Sequence, residues 1–358
     1  MKLENYELHL PSYSVGKEVY NQIGKICKPY GTKVLVIGGK KALSAAYDKI
    51  SKNAVEGGLD IIGKEIYGTD CTYEAVERLA ALTSFQEADM VFAVGGGKAI
   101  DTCKCLCIEC EKPVFTFPTI ASNCAACTSV SIMYHEDGTF FKPHFFTHPA
   151  AHAFIAAAPY RYLWAGIGDT YAKNYEAEIS SRGEKLPHYT KVGVGFSKMC
   201  LTPMLEYGRQ ALEDNKKGVA TEALEQVALA IVVTTAIVSI FLTRDFTPDY
   251  NSGLAHACFY ALTAYPVIEK EHLHGEVVGF GVLYALLVDG QQEEFEKIYA
   301  LNKELGLPVR IADIGITEEQ FFETMDRIPQ MSDIRHYPYA VTKEMLMQAY
   351  ETIEQLSV

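Results

Sequence analysis

Apolar residues in the first part of the chain fall in short blocks with no alternating polar face. Three such blocks lie at 33–37 (KVLVI), 89–94 (DMVFAV) and 113–117 (PVFTF), with a weaker one at 60–66. The first, second and third end in Gly38-Gly39, Gly95-Gly96-Gly97 and Pro118-Thr119. A strand covered by helices on both sides needs no polar face, so these blocks read as buried parallel strands. The stretches between them, 42–57, 72–86 and 98–111, have the amphipathic spacing of helices. Strand–helix alternation predicts an open α/β sheet, in which ligands bind beyond the carboxyl ends of the strands. The glycines at 38–39 and 95–97 sit at those ends.

From Ala156 onward the strand signal fades. Helical periodicity takes over at 160–181, 192–211, 218–243, 252–265, 276–288, 292–305, 317–327 and 342–355, punctuated by Gly, Pro and Asp. The expected organisation is an α/β nucleotide-binding domain with a parallel sheet over 1–158, followed by an all-helical domain over 159–358. The boundary is placed at Ala158-Pro159. The most apolar run, 227–242, contains Thr and Ser and falls short of the roughly 20 apolar residues a membrane span needs. It reads as a buried core helix.

Composition narrows the function classes. A length of 358 residues suits two domains, and 49% apolar with 22% charged residues excludes disorder or coiled coil as the main architecture. A net charge of -13 without a basic patch argues against nucleic acid and anionic membrane as partners. Ten cysteines are too sparse for a disulfide scaffold. The opening residues MKLENYE lack the pattern of a secretion signal, so a cytoplasmic chain with reduced thiols is expected. Cys107-x-x-Cys110 and Cys124-x-x-Cys127 have the spacing of zinc half-sites. However, Cys103, Cys107 and Cys110 share one helix face, where free Cys packs as a small hydrophobe.

Three motifs carry chemistry. VGGGKAID (94–101) places glycines between a strand and a helix, where backbone and helix N-terminus can approach a pyrophosphate. Residues 117–131 follow another buried strand with hydroxyls and small side chains, suited to a ribose or nicotinamide. Asp169, His256 and the His272–Glu276 stretch put one carboxylate and two or three imidazoles on separate helices. Two His and one carboxylate leave an open position, the pattern of catalytic Zn²⁺ and also of Fe²⁺.

Together, VGGGKAIDTCK (94–104), PTIASNCAACT (118–128), APYRYLWAGIGD (158–169), GLAHA (253–257) and HGE (274–276) resemble the glycerol dehydrogenase branch of the iron-containing (group III) alcohol dehydrogenases. The resemblance spans nearly the whole chain. It implies a dehydroquinate synthase-like fold and NAD- or NADP-linked, metal-dependent oxidation of a small alcohol or polyol, usually by a homo-oligomer. It assigns Asp169, His256 and His274 as metal ligands, with HGE fitting the family pattern only at His274. Gly96, Gly97, Lys98 and Asp101 fall on the pyrophosphate loop, and Thr119, Ser122, Thr128, Val130 and Tyr134 on positions that contact the cofactor. The iron branch carries a His where this chain has Lys173, which favours Zn²⁺ over Fe²⁺.

Three departures qualify this picture. Cys124 occupies the position of the Asp that hydrogen-bonds the polyol, and a thiol is a weak partner. Gly39, followed by Lys40 and Lys41, stands where NAD-preferring members carry an acid, which leaves NADP open. The stretch 144–159 is short; its His144, His148 and His152, spaced by four, could form a metal-binding helix face but are expected in a surface loop near the domain hinge. Two other functions fit the fold: a dehydroquinate synthase-like cyclase, and a cofactor-binding protein whose substrate site has decayed.

Overall fold

The computed structural model describes residues 8–137, 139–146, 148–156, 160–243 and 250–356. Residues 1–7, and Ala158 and Pro159 of the expected boundary, lie outside the described residues. The chain divides into two compact units, Met1–Pro159 and Tyr160–Val358.

The first unit is built on a six-stranded parallel sheet. Its strands are β1 (Tyr13–Val15), β2 (Lys33–Gly38), β3 (Asp60–Ile66), β4 (Met90–Gly95), β5 (Val114–Pro118) and, later in the chain, β8 (His152–Ile155). A separate antiparallel hairpin pairs β6 (Val130–Tyr134) with β7 (Phe140–Phe145). The helices are α1 (Ile23–Cys27), α2 (Lys40–Glu56), α3 (Tyr73–Ala80), α4 (Thr83–Glu87) and α5 (Gly97–Glu109). Strand order across the sheet is β1-β8-β5-β4-β2-β3. The chain therefore leaves β2 for one side and returns to β4 on the other. A crevice opens at such a reversal, beyond the strand ends. Gly39 and Gly95–Gly97 lie there, and the Gly39 N–H donates to Val94 O at 3.3 Å.

Burial explains the strand blocks. Every residue of β4 and β5, and all of β2 after Lys33, is buried. Phe92, Phe115, Phe117 and Phe154 meet at the sheet's core, with Phe117 stacked on Phe154 at 4.8 Å. Edge strand β3 is less covered.

Several expectations need correction. The 144–159 stretch is not simply a surface loop: His144 lies on β7, and buried His152 lies on β8. His152 is held between the hydroxyls of Ser12 and Ser14 at 2.8 and 3.0 Å. The helix expected over 72–86 is two helices, because Leu82 is extended and redirects the chain so that Phe85 enters the core.

The second unit contains α6 (Tyr160–Ser181), α7 (His188–Lys217), α8 (Glu222–Leu229), α9 (Thr235–Leu242), α10 (Leu254–Leu262), α11 (Pro266–Glu271), α12 (His274–Val288), α13 (Gln292–Leu305), α14 (Glu318–Arg327) and α15 (Lys343–Gln355). The expected helix over 218–243 is interrupted by a π turn at Ala230–Thr234, where the Thr235 hydroxyl donates to Ala230 O. The span Glu222–Leu242 is long and apolar enough to cross a membrane by composition. Its Val227, Ile231, Val232 and Val238 are nevertheless buried within the unit. The helix expected over 252–265 ends at Leu262, because Pro266 opens α11. Helix α12 begins at His274, ahead of the expected 276, because the Glu276 carboxylate accepts from the Leu273 N–H at 3.0 Å.

Candidate active site

Three helices of the second unit bring Asp169, His256 and His274 together. Asp169 lies on α6, His256 on α10, and His274 opens α12. The Nε2 atoms of His256 and His274 stand 3.5 and 3.6 Å from Asp169 Oδ1. All three donor atoms lie within 4.8 Å of one another. Asp169 and His256 are buried, while the His274 side chain is 40% exposed and opens one side of the cluster. The Phe259 ring packs edge-on against His274 at 4.4 Å.

Close helix crossing sets this spacing. A Cβ at Gly275 would stand 2.1 Å from Ala165 O, and one at Gly168 would stand 2.2 Å from Gly275 O. Only hydrogens fit between α6 and α12 there, so Asp169 and His274 face each other across a backbone contact.

The electrostatics favour positive charge. Burial raises the Asp169 carboxyl, but His256, His274 and Lys173 outweigh it and hold its pKa well below the ordinary carboxylate range. Burial pulls the His256 imidazole down, yet Glu176 and Asp169 raise its pKa to about 9. Asp169 Oδ1 is buried without a hydrogen-bond partner. An orphaned carboxylate oxygen beside two imidazole nitrogens fits a divalent cation.

The first unit gathers the other candidates around the strand ends. Gly39 precedes α2, and Gly96 and Gly97 lead from β4 into α5. The loops after β4 and β5 touch: a Cβ at Gly97 would stand 2.7 Å from Asn123 Nδ2. The Thr119 N–H donates to Gly95 O at 3.0 Å. Ser122 and Cys124 are half-buried in the loop after β5. Lys98 is exposed and pairs with Asp70 at 2.7 Å.

Asp101, Thr128 and Val130 meet at the Lys104 ammonium instead. This fully buried side chain donates to Ala125 O at 2.8 Å, Val130 O at 2.6 Å and Thr128 Oγ1 at 3.2 Å. It also pairs with Asp101 at 3.0 Å. The other Asp101 oxygen accepts from the Ile132 N–H at 3.2 Å. Tyr134 ends β6, with its N–H on Cys71 O at 2.8 Å.

The family model described as "Iron-containing alcohol dehydrogenase" matches residues 11–156. Glycerol dehydrogenase from Pseudomonas putida is 31% identical, over 96% of this chain and 95% of that protein. The chain belongs to the iron-containing alcohol dehydrogenase family. Its fold matches glycerol dehydrogenase from Schizosaccharomyces pombe with a TM-score of 0.85 at 22% identity, over 99% of this chain and 92% of that one. It also matches sulfoacetaldehyde reductase from Bifidobacterium kashiwanohense, solved in complex with NAD+, with a TM-score of 0.76 at 17% identity and 99% coverage of both.

In this iron-containing alcohol dehydrogenase, sequence reasoning assigned no role to Glu176, Lys104 or Glu276. Glu176 lies one face-repeat beyond Asp169 on α6. Its Oε2 stands 2.7 Å from His256 Nδ1, and its Oε1 accepts from the Gly253 and His256 N–H groups, each at 2.9 Å. That contact makes His256 Nδ1 the donor and turns Nε2 toward Asp169. The spacing Asp169, Lys173, Glu176 (i, i+4, i+7) was the available signal. Lys173 sits between the acids with its ammonium on Asn251 O at 2.7 Å. Glu276 fixes the start of α12 and also binds His272. His272 is thereby held to that carboxylate, while His274 faces Asp169.

Proposed function

We propose that this chain is a metal-dependent, NAD(P)-linked dehydrogenase that transfers hydride reversibly between a small alcohol or polyol and nicotinamide. The convergence of Asp169, His256 and His274 about one orphaned carboxylate oxygen carries this reading. The three residues hold the cation, and the exposed side of His274 admits the substrate hydroxyl. When bound, the cation supplies Lewis acidity that lowers the hydroxyl's pKa, and the nicotinamide supplies the hydride chemistry. Glu176 orients His256, and Glu276 orients His274 through the first turn of α12. The backbone of Gly96 and Gly97 receives the pyrophosphate, and the loop carrying Thr119, Ser122 and Cys124 borders the nicotinamide end.

Zinc is the proposed ion. Lys173 is bound to Asn251 O, so α6 contributes one ligand rather than two. NADP is a proposed alternative to NAD, because α2 begins at Gly39-Lys40-Lys41 with no acid in its first turn. With Cys124 half-buried in place of an acid, substrates with fewer hydroxyls than glycerol are favoured over glycerol.

The test is absorbance at the nicotinamide band. It crosses NAD and NADP with polyols, simple alcohols, 2-hydroxyketones and aldehydes, on chelated enzyme with and without Zn²⁺. Zinc-dependent turnover is expected, with the metal held by Asp169, His256 and His274 lost together with turnover in His256→Ala. Full activity in metal-free His256→Ala overturns the assignment.

A further inference from the structure

A second cluster of donor atoms lies in the first unit, in a region that the proposed dehydrogenase chemistry does not use. Helix α5 carries Cys105 and Glu109 one turn apart, and His144 projects from β7 toward them. Cys105 Sγ stands 3.6 Å from Glu109 Oε1 and 3.9 Å from His144 Nδ1. His144 Nδ1 stands 3.9 Å from Glu109 Oε1, which closes the triangle. Cys105 is fully buried, whereas Glu109 and His144 are 43% and 29% exposed. The thiol is therefore buried beside a carboxylate and an imidazole that both reach solvent.

We propose that Cys105, Glu109 and His144 bind a second divalent cation of the zinc class, clasping the β6–β7 hairpin to helix α5. Tetrahedral zinc with ordinary Zn–S, Zn–N and Zn–O bonds sets its ligand atoms about 3.3–3.6 Å apart. The observed spacings reach that range with side-chain movements of a few tenths of an ångström. Mixed sulfur, nitrogen and oxygen ligation suits zinc better than magnesium or calcium. The solvent exposure of Glu109 and His144 leaves the fourth position to water. The ion takes the Nδ1 lone pair that now faces the Tyr73 hydroxyl at 2.7 Å. Burial and the Glu109 carboxylate keep the Cys105 thiol protonated. Metal uptake therefore breaks an S–H bond and releases one proton to solvent, with no redox change. Cys103 and Cys107 take no part; both are buried as packing residues.

The two sites differ in sulfur, and that difference provides the readout. Chelated full-length protein is titrated with Co²⁺, then challenged with Zn²⁺. Two equivalents are expected, one of them raising a thiolate-to-cobalt charge-transfer band in the near ultraviolet that Zn²⁺ abolishes. His256→Ala should lose one equivalent and keep the band. Cys105→Ser should lose the other equivalent together with the band. Glu109→Gln, at an exposed position that leaves folding untouched, should weaken the band's affinity by roughly tenfold or more. Absence of a thiolate band, or a band unchanged in both Cys105→Ser and Glu109→Gln, overturns the proposal. If Cys105→Ser fails to fold, as judged by circular dichroism, Glu109→Gln decides alone.

Discussion

At the scale of single residues, the dehydrogenase site depends on a carboxylate that would hold no metal itself. Burial raises the Glu176 pKa, but His256 and Lys173 outweigh it and hold the carboxyl below the ordinary range. The resulting anion accepts from His256 Nδ1 and fixes the ring's tautomer and tilt. In Glu176→Gln the amide keeps the side chain's volume and can still accept from the Gly253 N–H. It places an N–H donor or a weaker acceptor against Nδ1 and removes one negative charge from the neighbourhood. Zinc affinity should fall about 10- to 100-fold, the usual cost of losing such a partner, and the thermal midpoint of the chelated protein should fall too, because a buried pair loses its anion. Competition against a chromophoric chelator measures the first quantity and a melting curve the second. Unchanged affinity would show that packing, not the carboxylate, orients His256.

At the scale of elements, helix geometry decides whether the ligands meet at all. Asp169 and His274 are far apart in sequence and meet because α6 and α12 touch backbone to backbone at Gly168 and Gly275. A methyl group at Gly275 would drive into Ala165 O and push the helices apart by an ångström or more. Overpacking of this kind costs about 1–3 kcal/mol, and here it also lengthens the Asp169–His274 distance. Gly275→Ala is therefore expected to lose zinc affinity out of proportion to its stability loss. Gly195→Ala, at an open helical position on α7, is the control that should change neither. Denaturant midpoints and chelator competition on both variants test this.

The same scale explains what was legible in sequence. The strands β2, β4 and β5 announce themselves because both faces are buried and, apart from Lys33 and Thr116, every position is apolar. Strand β1 has only three residues, with Tyr13 exposed, and β8 has only four and opens on His152, so neither carries a hydrophobic signature. Asp169, His256 and His274 stand out as polar residues in apolar helices, next to Gly168 and Gly275 or three residues after Gly253. Lys104 did not, because a lysine one turn beyond Asp101 normally faces solvent. Its burial depends on carbonyls supplied by residues 125–130, a non-local arrangement that no spacing along α5 reveals.

At the scale of the whole molecule, the proposed ligands divide between the two units. The Asp169, His256 and His274 set lies entirely within Tyr160–Val358, and the glycine loop entirely within Met1–Pro159. A ligand that binds only the folded state stabilises what it touches by about 2.7 kcal/mol at a hundredfold excess over Kd. Amides whose exchange requires that region to open are slowed accordingly, and amides that open independently are not. Returning zinc to chelated Cys105→Ser protein, which lacks the proposed second cation site, should therefore slow hydrogen exchange in α6, α10 and the first turns of α12. It should leave the β2–α2 turn and the start of α5 unchanged. NAD or NADP should protect that turn, the start of α5 and residues 118–130, while α10 exchanges as before. The Lys104 contacts add a further expectation: cofactor protection should reach Val130 through the buried ammonium, because loosening the 125–130 carbonyls exposes an unpaired charge. Equal protection of both units by either ligand alone would mean that they open as one body. The division of labour between cofactor and metal would then have to be sought in the chemistry rather than in the architecture.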